Sequence, residues 1–169
     1  MATSRLESVV NLSLLATCLL VSAAAGKRLY VGGENRDLAR PSEYSRGEVL
    51  PPLAGVRYAD KERTVLLFLS SHCQFCSASM PFYAKLSAAR HSGGLQLVVL
   101  GGEPELTLAQ YIAGYHLEVD YVRTIRPGDL KVVATPTVIL ANRTGQVEGL
   151  WRGALRDREP EVEAALLRR

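Results

Sequence analysis

The chain has 169 residues, of which 47% are hydrophobic and 22% charged. This composition is ordinary for a globular protein, and the length fits one domain with a full core plus an N-terminal appendage. The formal net charge of +3 comes from scattered basic residues, which argues against nucleic-acid binding. Three cysteines are too few for a disulfide framework or a four-thiolate zinc site.

The N-terminal segment, residues 8–26, carries no charged side chain and is rich in leucine, valine and alanine. Three alanines before Gly26 match a small-residue cleavage site, but ~20 apolar residues also suffice to cross a bilayer uncleaved. We therefore predict a signal peptide or membrane anchor over residues 1–26, which implies an extracytoplasmic location. The alternative is a cytosolic protein with an N-terminal core helix. Cys18 lies in this segment, as a small apolar filler.

The next segment, residues 27–52, is polar, has no sustained hydrophobic period and ends in two prolines. These features predict a linker. The remaining residues, 53–169, are then expected to form the globular domain.

A short apolar run, residues 64–69, is followed by three polar residues and a helical pattern that Gly93 and Gly94 end. The unbroken run is typical of a parallel strand that is covered on both faces, so it is expected at the centre of a sheet. The apolar spacing from Gln74 onward predicts a helix directly after this strand.

Cys73 and Cys76, the dithiol, lie at the start of this helix. The free N–H groups and dipole of a helix N-terminus stabilise an anion, and in such positions the pKa of a thiol falls from about 8.5 to roughly 3.5–7.5. We predict that Cys73 is the attacking sulfur and that Cys76, one turn deeper, resolves a mixed disulfide formed at Cys73. The next residue is Ser77 rather than histidine, which excludes covalent haem attachment.

A second apolar strand, residues 95–100, is followed by Glu103 and an amphipathic helix to about residue 116, as in a βαβ unit. Because Glu103 follows this strand at the same sheet edge as the dithiol, it is a candidate accessory acid or base. Alternatively, its carboxylate only favours the start of the next helix. His72 either tunes the Cys73 thiolate as a cation or is an inert loop residue.

The C-terminal part contains an extended segment over residues 119–125 and a third apolar strand over residues 137–140, preceded by Thr135 and Pro136. A hairpin then leads to residues 146–151, where Trp151 is expected to pack on an edge strand. A closing helix is predicted over residues 157–167.

Four motifs follow one another in the order in which a known protein family carries them. They are the dithiol, Pro81 five residues after Cys76, the Gly-Gly-Glu that ends at Glu103, and the Ala-Thr-Pro-Thr-Val-Ile-Leu of residues 134–140. In these motifs the chain resembles the thioredoxin superfamily, most closely the TlpA/ResA-type extracytoplasmic thioredoxins of bacteria. The resemblance implies an α/β thioredoxin-like fold: a central mixed sheet of about four to five strands with helices on both faces, preceded by the N-terminal apolar helix. It also implies a first short strand or hairpin arm at residues 53–58.

The resemblance further implies a thiol-disulfide oxidoreductase that faces the periplasm and reduces particular exported proteins. Pro136 would be cis beside the disulfide, the backbone of Thr135 would pair with the substrate, and Phe75 would offer it an apolar contact. The partners would be protein thiols or disulfides and a membrane or extracytoplasmic redox protein, and the chain would be a monomer. No cofactor beyond the Cys73–Cys76 disulfide is expected. Relatives usually carry a buried acid in the strand before the dithiol, but residues 64–69 contain none, so proton transfer at Cys76 needs another group or water.

Two other functions remain open for the dithiol. Two thiolates and His72 would suit Cu(I), as in thioredoxin-fold copper chaperones, although the Cys-x-x-x-Cys of those chaperones is one residue longer, and we predict no metal. The pair could instead form a structural disulfide in a redox-inert binding domain. A stable one-to-one copper complex would favour the first function, and a disulfide that resists reduction would favour the second.

Overall fold

A computed structural model describes residues 10, 13–19, 21–22, 43–90 and 94–167 of the chain, which divides into two units, Met1–Arg40 and Pro41–Arg169. In the first unit, residues 13–19 are helical. Among the described residues, no helix has both the length and the apolar character that a membrane span needs. The candidate cleavage site at residues 23–26 and most of the predicted linker, residues 27–42, lie outside the described ranges.

The second unit is built on a five-stranded mixed sheet. Its strands are β1 (Arg63–Phe68), β2 (Leu95–Gly101), β3 (Tyr121–Thr124), β4 (Thr137–Asn142) and β5 (Val147–Arg152). They lie in the order β3-β2-β1-β4-β5, with β1 parallel to β2 and antiparallel to β4. The apolar run before the dithiol therefore forms the central strand, as predicted.

Three helices connect or follow these strands: α1 (Gln74–Arg90), α2 (Glu105–Ala113) and α3 (Glu159–Leu167). The start of α1 agrees with the prediction. α2 ends at Ala113 rather than near residue 116, because the chain turns there and His116 takes a positive φ of 55°. α3 begins two residues later than predicted.

Successive side chains of a strand point to opposite faces of the sheet, and the core is divided accordingly. Val65 and Leu67 of β1 face a cluster that includes side chains of α1 and α3. Trp151 of the edge strand β5 belongs to this cluster, and its Nε1 donates to Glu161 Oε1 at 2.9 Å. The predicted packing of Trp151 on an edge strand is thus confirmed.

The opposite face of the sheet, marked by Leu66, is covered mainly by extended chain. Tyr44 and Leu50 are buried there, and the Leu50 N–H donates to the carbonyl of Gly145 at 2.9 Å. Residues 43–52, which the sequence assigned to the linker, therefore pack against the domain. Their few apolar side chains have no regular period, so the pattern gave no sign of this packing.

Residues 53–58 do not form a strand of the sheet, contrary to the expected strand or hairpin arm. Leu53 and Val56 instead bridge each other across a tight turn, with the Val56 N–H donating to the Leu53 carbonyl at 3.0 Å. A short 3₁₀ helix, Tyr58–Asp60, follows on the same face of the sheet as Leu66. Backbone groups of the turn pair with each other, so these residues need no partner strand.

The register of the sheet brings several loops to one edge. Phe68, the last residue of β1, pairs with Leu100 of β2 and with Thr137, the first residue of β4. The segments after β1, after β2 and before β4 therefore meet there. Gly101 lets α2 approach this edge, because a Cβ at Gly101 would lie 2.9 Å from Cδ1 of Leu108 in α2.

Candidate active site

The dithiol lies at the sheet edge where these loops meet. Cys73 immediately precedes α1 and is partly exposed, whereas Cys76 is fully buried, and both thiols are free. The backbone N–H of Cys76 donates to Cys73 Sγ at 3.3 Å. The sulfur that a partner can reach is thus also the one at the helix N-terminus.

The pKa of the Cys73 thiol lies below its ordinary value. Burial opposes this shift, but hydrogen bonds from the side chains of Cys76 and Thr135 and from the N–H groups of Cys76 and Phe75 outweigh it. All of these donors stabilise the anion more than the thiol. The surroundings of Cys73 therefore favour its thiolate form.

The pKa of Cys76 moves in the opposite direction. Burial raises the pKa of Cys76 to about 12, and the hydrogen bond with Cys73 and the charge of a Cys73 thiolate add to this effect. At neutral pH the buried sulfur is consequently a thiol. The two sulfurs differ both in access and in charge.

The loop before β4 faces Cys73. The Thr135–Pro136 peptide bond is cis, and the carbonyl oxygen of Thr135 lies 3.4 Å from Cys73 Sγ. The buried Pro136 is fixed from the other side, because its carbonyl accepts the N–H of Gly153 at 2.7 Å. The structure thus brings together four of the residues that the sequence singled out: Cys73, Cys76, Thr135 and Pro136.

Glu103, in the loop after β2, contacts the loop that leads into the dithiol, and His72 lies on that second loop. Glu103 Oε1 accepts the N–H of Ser71 at 2.9 Å. Burial raises the pKa of Glu103, but hydrogen bonds from Ser71 and Ser70 and the charge of His72 hold it below its ordinary value. Glu103 is therefore an ionised carboxylate that holds the segment leading into Cys73.

Solved structures share the fold, whereas no family model and no curated protein matches the chain. The chain resembles a candidate thiol:disulfide interchange protein DsbE from Chlorobium tepidum, with a TM-score of 0.56, 22% identity, and coverage of 75% of this chain and 96% of that chain. It also resembles the thioredoxin domain of a thiol-disulfide oxidoreductase from Bacteroides vulgatus, with a TM-score of 0.57, 18% identity, and coverage of 72% and 98%. The chain has a thioredoxin fold.

A third structure with this thioredoxin fold is a secreted Mycobacterium tuberculosis disulfide oxidoreductase that is homologous to E. coli DsbE. Its TM-score is 0.51 at 17% identity, with 62% of this chain and 80% of that chain covered. The predicted α/β thioredoxin-like fold with a mixed sheet is thus confirmed.

The rim of the thioredoxin fold around the dithiol exposes apolar side chains. Phe75, between the two cysteines, is 52% exposed, and Val133 in the loop before β4 is also exposed. Single exposed apolar side chains are common, but Phe75 lies in the first turn of α1, two residues after Cys73, and Val133 lies in the loop that contains Thr135. Phe75 is thus where the sequence placed it, on the reachable side of the site.

Three polar residues near Cys76 did not stand out in the sequence. The hydroxyls of Ser77 and Tyr111 lie 3.0 Å apart, and Tyr83 is buried in the same core cluster as Cys76. Tyr83 follows Cys76 by seven residues, so helical periodicity could have placed both on one face of α1. Tyr111 could not have been found in this way, because its position depends on how α2 packs.

The thioredoxin fold does not gather a metal-binding cluster within the part of the chain that the structure describes. No group of three or more histidine, cysteine, aspartate or glutamate side chains converges there. His72, which the copper hypothesis requires, is exposed beside Glu103 rather than turned to both sulfurs.

Proposed function

We propose that the protein is a thiol-disulfide oxidoreductase in which Cys73 is the attacking sulfur and Cys76 the resolving sulfur. The observation that carries this proposal is the asymmetry of the dithiol: a partly exposed sulfur with a lowered pKa next to a buried sulfur with a raised one. A structural disulfide needs no such difference. A reactive pair does, because only a thiolate attacks a disulfide.

In the proposed reaction, the Cys73 thiolate attacks one sulfur of a substrate disulfide. The substrate S–S bond breaks, its other sulfur leaves as a thiolate and takes up a proton, and Cys73 is joined to the substrate. Cys76 then loses its proton and attacks Cys73 Sγ, which releases the second substrate thiol and forms the Cys73–Cys76 disulfide. Two electrons pass from the dithiol to the substrate, and no further cofactor is required.

Protein substrates fit the surface around Cys73. Thr135 and Pro136 end the loop before β4, the carbonyl oxygen of Thr135 lies 3.4 Å from Cys73 Sγ, and Phe75 offers an apolar contact beside this sulfur. An extended segment of a partner chain could pair with the backbone of this loop, with side-chain pockets giving selectivity. These features support Thr135, Pro136 and Phe75 as substrate-binding residues.

We further propose that the protein works outside the cytoplasm, as a monomer that faces the periplasm and reduces exported proteins. The supporting observations are the uncharged segment at residues 8–26 and the thioredoxin fold, which is shared with a secreted disulfide oxidoreductase. Residues 1–26 would be the signal peptide or membrane anchor. A membrane or extracytoplasmic redox protein would return the dithiol to its reduced state.

Glu103 and His72 are proposed to act on the dithiol through the preceding loop. No hydrogen bond among the described residues joins Glu103 to either cysteine sulfur, whereas two serines of the loop bind its carboxylate. A lowered pKa suits a fixed anion better than an acid that donates a proton at neutral pH. Glu103 would thus tune Cys73 by orienting its loop.

The lowered pKa of Cys73 predicts early ionisation of this thiol. In a Cys18→Ser chain, the rate of alkylation of Cys73 by iodoacetamide should rise with pH and reach half its maximum below 9.0, the ordinary value. The thiolate is the reacting form, so the rate reports its population. The same chain unfolded in denaturant is the matched control, and an identical midpoint in both states would contradict the proposed role of Cys73.

The reduction potential of the dithiol tests the function and its direction. The Cys18→Ser chain is equilibrated in thiol redox buffers, and the free thiols are alkylated and counted. For a reductant we expect about −250 mV or lower, near thioredoxin, whereas about −120 to −180 mV would indicate an oxidase or isomerase. A Cys73–Cys76 disulfide that never forms, or that resists reduction, would rule out the proposed function.

A further inference from the structure

Tyr83 carries a polar group that the fold leaves unpaired. Its side chain has a relative exposure of 0%, and its hydroxyl forms no hydrogen bond with any of the described residues. Ser79, one turn before Tyr83, donates its hydroxyl proton to the carbonyl of Phe75 at 3.0 Å. An unpaired buried hydroxyl is destabilising, so phenylalanine would be the more stable choice if packing were its only role.

Tyr83 is on the same side of α1 as Cys76. The two residues are two helical turns apart, and both belong to the core cluster on one face of the sheet. Long side chains of a helix lean toward its N-terminus, so the phenol of Tyr83 extends toward Cys76. Burial raises the pKa of Tyr83, the Ser79 hydroxyl partly offsets this, and negative charge on Cys76 raises it further. The phenol thus keeps its proton when Cys76 is charged.

Hydrogen bonds with Ser70 and Thr135 favour a Cys76 thiolate, but they do not offset the cost of burying its charge. Residues 63–68 of β1 contain no acidic side chain, and burial raises the pKa of Cys76 to about 12. The reaction nevertheless makes Cys76 a thiolate. When the disulfide is reduced, a thiolate attacks Cys73 Sγ, the Cys73–Cys76 bond breaks, and its electron pair goes to the buried sulfur.

We propose that Tyr83 donates a hydrogen bond from its hydroxyl to the Cys76 thiolate as this sulfur leaves. This inference rests on the proposed function, since it concerns one step of that reaction. The attacking thiolate becomes disulfide-bonded to Cys73, the charge passes to Cys76, and Tyr83 keeps its own proton while it holds the anion. The sulfur then takes up a proton from solvent and is again a neutral thiol. In the reduced state, where Cys76 is a neutral thiol, the hydroxyl is unpaired among the described residues.

The test measures the reduction of the Cys73–Cys76 disulfide by dithiothreitol in full chains that all carry Cys18→Ser. Samples are quenched with acid at intervals and their free thiols alkylated. Tyr83→Phe removes only the hydroxyl, and we expect reduction to slow ~10-fold, the loss of about one hydrogen bond to a charged group. Tyr58→Phe is the matched control, because the Tyr58 hydroxyl donates to Pro51 at 3.2 Å on the other face of the sheet.

Two further readouts separate this role from a structural one. Reduced Tyr83→Phe should be as stable as the parent chain, or more stable, because the unpaired hydroxyl is gone. The pH profile of Cys73 alkylation should not change. The proposal is overturned if Tyr83→Phe is reduced as fast as Tyr58→Phe, or if slow reduction comes with lost stability and a shifted Cys73 profile. Failure of the disulfide to form in the parent chain would instead overturn the proposed function.

Discussion

Replacing Cys73 with serine should abolish disulfide reduction, with a loss of ~10³-fold or more, because a serine hydroxyl does not ionise near neutral pH and cannot form the mixed disulfide. Replacing Cys76 with serine has a different expected result. The first attack still occurs, since Cys73 keeps its N-terminal position and its contact with Thr135. The mixed disulfide then accumulates because no thiol resolves it.

Both variants can be measured with a protein disulfide such as insulin as substrate. Turnover is followed by the release of thiols, and the mixed disulfide by mass spectrometry under non-reducing conditions. Cys18→Ser is the control, and it should react like the unaltered chain because Cys18 lies outside the domain. Full activity in either dithiol variant would contradict the mechanism, and a trapped complex in Cys73→Ser rather than Cys76→Ser would reverse the two roles.

The parts of the fold that the sequence predicted well are those with strong local signals. β1 and β2 are short apolar runs, and their burial on both faces follows directly from that pattern. The start of α1 follows from the polar residues after β1 and the helical spacing beyond Gln74. The placement of the dithiol at the helix N-terminus needed no knowledge of distant contacts.

Other parts of the fold depend on contacts between distant residues and were missed. Residues 43–52 pack on the sheet through Tyr44 and Leu50, two apolar side chains in a polar segment. The hydrogen bond between Glu103 and Ser71 joins loops that are 32 residues apart. A single sequence predicted that these loops share a sheet edge, but not which atoms meet there.

The candidate site shows the same division between local and distant signals. The order of Cys73, Cys76 and Pro136 pointed to their meeting at one site. The surroundings of Cys76 were harder to predict from the sequence, because Tyr83 has the spacing of an ordinary core residue of a helix. Only its buried, unpaired hydroxyl distinguishes it.

The raised pKa of Cys76 makes the stability of the reduced protein depend on pH. In the unfolded chain this thiol ionises near its ordinary value of 9.0, whereas in the fold it stays protonated up to about 12. Between these values the unfolded state binds fewer protons, so the free energy of unfolding falls as pH rises. At about 1.36 kcal/mol per pKa unit, the loss from Cys76 approaches roughly 4 kcal/mol at the upper end.

Cys73 contributes with the opposite sign and in a lower range of pH. Its pKa in the fold is below 9.0, so the reduced protein gains stability as pH rises from that lowered value to 9.0. Denaturant unfolding in the presence of a non-thiol reductant should therefore give highest stability near pH 9, before the loss from Cys76 begins. Burial also raises the pKa values of Tyr44, Tyr58, Tyr83 and Tyr111, so part of the alkaline loss is not due to cysteine.

Two matched comparisons isolate the share of Cys76. The oxidised protein and a reduced Cys76→Ala variant have no thiol at this position that can ionise, so both should keep the loss due to the buried tyrosines and lack the loss due to Cys76. The Cys76→Ala chain differs in absolute stability because a buried side chain is shortened, and the comparison therefore uses the slope with pH. The free energy of unfolding could instead change with pH at the same slope in the reduced parent and in Cys76→Ala between about pH 9 and 12. That result would show that burial does not raise the pKa of Cys76, and the asymmetry of the dithiol would then need another cause.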